Sequence, residues 1–214
     1  MKTDDLIERL GREATMVTPL PAPGVRTAVW LLWGVLYLVA VAAMIFTAIS
    51  PGGAVLTPLY LLQQGAALVT GITAARAAFV SVVPGASNHT RLLPAISGAV
   101  WVASLLWGAV LNLQKFGSLG ISGQTDWPCV ISMTIGGVVL GVPMLMMLRR
   151  GAPLTPRTTA FLGGLAALSL ANIEACLTRP HAFAMTVLLW HGFTVAIVVA
   201  LFVLTGRRCL RWPA

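Results

Sequence analysis

Six long apolar stretches run along this chain, at about residues 25–49, 56–80, 92–111, 129–148, 159–176 and 184–205. Their apolar residues are continuous rather than alternating. Each stretch is long enough to cross a hydrocarbon core of about 30 Å. Continuous runs of that length predict helices, because lipid offers the backbone no hydrogen-bond partners outside its own segment. The pattern predicts an all-α polytopic membrane protein with six transmembrane helices. The first stretch is too long, and lies too far behind a charged tail, for a simple cleavable signal. The tail itself has a different pattern. Leu6, Ile7 and Leu10 recur at helical spacing among Asp4, Asp5, Glu8 and Glu13, which predicts a short amphipathic helix. Thr3 can cap it, with Asp4 and Asp5 at its positive end. Pro19, Pro21 and Pro23 then favour an extended spacer. The chain divides into a tail and Pro-rich stalk at 1–24, a six-helix membrane domain at 25–205 and a basic C-terminal tail at 206–214. The first tail reads either as a bait peptide on a stiff stalk or as a helix lying on a membrane surface.

Composition agrees. Hydrophobic residues make up 57% of the chain and charged residues 9%, against about a quarter charged in soluble domains. The net charge of +8 is informative through its placement. Lys2, Arg9, Arg12, Arg26, Arg76, Arg91, Arg149, Arg150, Arg157, Arg207, Arg208 and Arg211 share one face if the spans alternate. Only Lys115 and Arg179 fall on the other. The positive-inside rule then puts both termini in the cytoplasm, N-in and C-in. Basic residues so placed set orientation and meet anionic lipid; they do not indicate direct nucleic-acid binding.

Candidate chemistry is sparse. Cys129 opens the fourth stretch and Cys176 closes the fifth, so both lie near the outer face. A disulfide, a metal–thiolate site holding a heavy-metal ion, and two unrelated cysteines all fit. Asp126, Glu174 and His181 lie near the same level and could add ligands. His191, in Trp190-His191-Gly192, is an ionisable residue inside a span and hence a candidate site residue. A single interhelical hydrogen bond is the plainer explanation for it. Gln63, Gln64 and Asn172 read as packing groups. Gly137, Gly141, Gly163 and Gly164 offer close helix approach, and Pro143 predicts a kink. The chain shows no HExxH pair, phosphate loop or ladder of intramembrane carboxylates. One outer cysteine pair plus Cys209 does not make an electron relay. The expectation is no enzyme and no resident cofactor. A small metal or solute transporter with an outer cysteine capture site is the rival reading, and a structural subunit of a larger complex is a third.

Several pieces, taken in order, carry a resemblance. They are Met1-Lys2-Thr3-Asp4-Asp5-Leu6-Ile7, Pro19-Leu20-Pro21, Trp127-Pro128-Cys129, Leu148-Arg149-Arg150-Gly151-Ala152-Pro153-Leu154, Trp190-His191-Gly192 and Leu210-Arg211-Trp212. With them the chain resembles the NrsF family, negative regulators of sigma F, which are bacterial inner-membrane anti-sigma factors. The resemblance implies that the N-terminal tail, with Asp4, Asp5, Leu6, Ile7, Glu8 and Leu10, holds an extracytoplasmic-function sigma factor. It also implies that an outer cysteine pair senses metal or oxidative stress. Cys129 matches the first of that pair. Cys176 matches the second, although Leu177-Thr178-Arg179-Pro180 after it departs from the family pattern.

Overall fold

The computed structural model describes residues 3–13, 19–48, 57–83, 85, 88–117, 127–151, 153–178, 185 and 187–210. Among them all regular structure is helical: α1 (Thr3–Glu13), α2 (Pro23–Ala48), α3 (Pro58–Val80), α4 (Leu92–Phe116), α5 (Trp127–Arg149), α6 (Pro156–Thr178) and α7 (Gly192–Cys209). A short 3₁₀ turn, Asn88–Arg91, leads into α4, and a π-turn, Val187–His191, leads into α7.

Local sequence explains the helix ends. Proline stands in the first turn of α2, α3, α5 and α6, at Pro23, Pro58, Pro128 and Pro156. There its missing N–H costs no helical bond and its φ is already helical. Thr57 caps α3, its Oγ1 accepting the Tyr60 N–H at 3.1 Å. Gly117 ends α4 in the left-handed region at φ 64°, returning its N–H to the Leu113 carbonyl.

Five helical stretches are long and apolar enough to cross a membrane: Pro23–Ile45, His89–Phe116, Trp127–Arg149, Pro156–Leu177 and Val187–Gly206. The long helix outside that group, α3, carries Gln63, Gln64 and Arg76. It can do so because much of it faces protein: Ala67, Thr70, Gly71, Ala74, Ala75, Ala77, Ala78 and Phe79 are buried. The sequence reading of six equivalent apolar stretches is thus modified: one of them is a mixed, packed helix.

The centre of the bundle is α6, whose membrane-length window is 78% buried against 11% for α2. It packs on α3, α5 and α7. The neighbours run antiparallel to it. Ser81, just past α3, meets Thr159 at the start of α6 at 2.8 Å. Met144 and Leu148, late in α5, pack against Gly163, early in α6. The glycines expected to join α5 and α6 divide their work. Gly163 faces α5, whereas Gly141 and Gly164 both accommodate Phe202 of α7.

This alternation gathers Arg26, Arg91, Arg149, Arg150, Arg157 and Arg208 at one end of the bundle. Arg26 is buried there, donating to the Met147 carbonyl and lying 4.6 Å from the Phe79 ring centroid. The opposite end receives the start of α5, the end of α6 and the π-turn before α7, and so brings Cys129, Cys176 and His191 to one level.

Candidate functional site: a buried Cys–His–Asn relay and its neighbours

Cys129 stands in the first turn of α5 and is 4% exposed. Its Sγ lies 2.6 Å from His191 Nε2. The other ring nitrogen, Nδ1, lies 2.5 Å from Asn172 Oδ1. An amide oxygen only accepts, so Nδ1 carries the proton and Nε2 presents its lone pair to the thiol. Three helical segments thus supply one relay. His191 closes the π-turn, whose extra residue resets the register of side chains just before α7. His191 is 3% exposed and Asn172 is fully buried. Among the described residues Asn172 Nδ2, on the same planar amide that holds the imidazole, has no hydrogen-bond partner.

A second polar group lies beside the first. Glu174 is the only acidic residue inside a described membrane-length helix. It accepts from Ser132 Oγ at 2.5 Å and from Tyr37 OH at 3.2 Å. Ser132 is three residues past Cys129, on the same side of α5. Gly136 makes room for the carboxylate. A Cβ there would lie 2.6 Å from Glu174 Oε2, 3.0 Å from Tyr37 OH and 3.1 Å from Ala171 Cβ.

Cys176 belongs to a different environment. It packs in a cluster with Ala67, Trp101, Leu105 and Val187, while Cys129 packs with Met133 and Ala175. Its thiol lies beside Gln64, and its carbonyl accepts from Tyr60 OH at 3.4 Å. Both cysteines are thiols and form no disulfide. Among the described residues no group of three or more His, Cys, Asp and Glu side chains could hold a metal ion. Asp126 and His181 lie outside the described residues. Of the candidates from sequence, Cys129 and His191 come together, Glu174 joins Ser132 and Tyr37, and Cys176 stands in its own pocket.

Sequence reasoning read Asn172 as a packing group and did not single out Tyr37 or Ser132. The available signal was the spacing of Asn172, Glu174 and Cys176, three polar or reactive residues within five positions of an otherwise apolar helix.

The site is tied to α2 and so to the stalk. Pro143 cannot donate to the Val139 carbonyl one turn before it. Trp33 Nε1 of α2 takes that carbonyl at 3.3 Å, and Trp30 Nε1 takes the adjacent Leu140 carbonyl at 3.0 Å. Arg26 holds the Met147 carbonyl and Tyr37 holds Glu174. Four side chains, spread along α2, therefore grip α5 and α6. Beyond the stalk, Thr3–Glu13 is helical, and Ile7 is 63% exposed. Glu8 and Arg12 pair at 2.6 Å on its exposed surface.

The model of one family, described as negative regulator of sigma F, matches residues 10–212. A curated relative from Azospira oryzae, described as a probable anti-sigma-F factor NrsF, is 27% identical over 230 positions. That alignment covers 99% of this chain and 100% of the relative. No solved structure matches the chain. A family match over nearly the whole chain makes the assignment: this chain belongs to the NrsF family, the negative regulators of sigma F.

Proposed function

We propose that the chain is an inner-membrane anti-sigma factor with six spans, N-in and C-in. In this reading residues 1–24 hold an extracytoplasmic-function sigma factor at the cytoplasmic face. Residues 25–205 form the membrane sensor, and 206–214 is a basic tail at the inner leaflet. Stress from an oxidant or a heavy metal acts on Cys129 and Cys176 at the outer face and weakens the tail's hold. The role is regulatory and not enzymatic. The observation that carries it is the exposed apolar residue Ile7 on a helical tail, in a chain of a sigma-regulator family. The four polar grips of α2 on α5 and α6 supply a physical route between the cysteine end and the tail.

Two experiments test this reading. In cells, the sigma factor fractionates with membranes in resting state and leaves them after peroxide or cadmium. A chain with Cys129→Ser and Cys176→Ser keeps the sigma factor bound under both stresses. Normal release from the double variant removes the sensing role. For orientation, alkaline phosphatase fused after Gly120 is active, because that loop is periplasmic, and fused after Gly151 it is inactive. The reverse pattern would overturn N-in, C-in topology, which rests on arginine placement.

A further inference from the structure

The geometry points to Cys129 as the reacting thiol of the pair, made nucleophilic by His191, with Asn172 as the positioning residue. This deepens the sensing role proposed above and rests on it. The substrate class is a hydroperoxide.

Three observations separate the two cysteines. Cys129 Sγ is 2.6 Å from a ring nitrogen whose lone pair faces it, because Asn172 Oδ1 accepts the hydrogen bond of Nδ1–H at 2.5 Å. That arrangement has the roles of a Cys–His–Asn nucleophilic relay, where a base accepts the thiol proton and a third group fixes the base. Cys129 also lies in the first turn of α5, where helix N–H groups stabilise negative charge. Cys176 lies two residues from the carbonyl end of α6, where the helix dipole has the opposite sign. Its neighbours are Trp101, Leu105, Ala67 and Val187, with Gln64 beside the thiol. None of these is a base.

The step balances without another reagent. The Cys129 proton passes to His191 Nε2, and Sγ attacks the terminal oxygen of the hydroperoxide. An S–O bond forms and the O–O bond breaks. Sulfur is oxidised by two electrons to the sulfenic acid. The peroxide is reduced, and its leaving oxygen takes the proton back from His191 as water or an alcohol.

The test uses the full chain in lipid nanodiscs, hydrogen peroxide as oxidant and dimedone to trap sulfenic acid. Mass spectrometry reads adducts at Cys129 and Cys176 separately. Cys129 is expected to react at least about tenfold faster than Cys176, and His191→Gln to slow it by about 100-fold, the scale of a positioned base. Asn172→Ala slows Cys129 about tenfold, while Asn172→Asp, which still accepts from Nδ1, stays within about threefold of the parent chain. A merely structural role for Asn172 would not be rescued by aspartate. Equal rates at the two cysteines, or a Cys129 rate indifferent to His191→Gln, overturn the relay. Sigma-factor release, read on the same samples, separates the two levels. Fast Cys129 oxidation without release leaves the relay standing and removes the sensing role; release that depends on Cys129 with no effect of His191 does the opposite.

Discussion

Removing residues 1–15 is expected to weaken sigma-factor binding by at least about 100-fold, which is about 2.7 kcal/mol. Most of that loss should come from apolar contact. Ile7 stands 63% exposed on α1, and burying such a side chain is worth about 1.5–3 kcal/mol. Leu6 and Leu10 share its helical stripe in the sequence. The Glu8–Arg12 pair is solvent-exposed, with side chains 65% and 78% accessible, and such pairs contribute at most about 1 kcal/mol. Ile7→Asp should therefore cost about tenfold or more in affinity, and Glu8→Ala about threefold or less. Biolayer interferometry with the solubilised chain and its sigma factor reads both numbers. Retained affinity after deletion would sink the bait-peptide reading and favour a transporter or a structural subunit.

Hydropathy was enough to find five helices of membrane length because lipid imposes one requirement on every lipid-facing position. It was less informative for α3, where protein neighbours replace lipid and Gln63, Gln64 and Arg76 become tolerable. The shared end of Cys129 and Cys176 also followed from counting helices, since antiparallel connection fixes which ends meet. Partnership did not follow. Cys129 meets His191 rather than Cys176 because Ala175 packs with Cys129 while Cys176, the next residue, packs with Ala67, Trp101 and Leu105 of α3 and α4, and an apolar span carries no periodicity that marks those sides. Asn172 looked like packing glue because an amide in a span usually is. Its role depends on one 2.5 Å contact across helices. Sequence predicts a kink at Pro143 but not the partner of the carbonyl it orphans, because the Trp33 indole that takes the Val139 carbonyl comes from a helix more than a hundred residues earlier.

Loosening the contact between α2 and the cysteine end should disconnect Cys129 oxidation from sigma-factor release while leaving oxidation and resting affinity intact. Only 11% of the α2 membrane window is buried, so packing contributes little to its register and polar contacts contribute more. Glu174 is the contact nearest the cysteines. It joins Ser132 on α5, one turn from Cys129, to Tyr37 on the helix that continues into the stalk. Tyr37→Phe deletes the α2 bond and removes one donor from a buried carboxylate, a local cost of about 1–3 kcal/mol. Gly136→Ala acts on the same point by sterics, because its methyl carbon would fall 2.6 Å from Glu174 Oε2 and 3.0 Å from Tyr37 OH. In the parent chain, oxidation should weaken sigma-factor binding by roughly 5- to 150-fold, the range of about 1–3 kcal/mol for allosteric coupling. In Tyr37→Phe and Gly136→Ala that ratio should fall to about twofold or less. Resting affinity should stay within about threefold, since the tail is untouched, and Cys129 should still be oxidised, since His191 and Asn172 are untouched. Sigma-factor affinity measured before and after peroxide, for both variants, decides the matter. Release at the parent ratio in both would show that the signal does not pass through Tyr37 and Glu174, and would leave the Trp30, Trp33 and Arg26 grips on α5 as the remaining polar route to the tail.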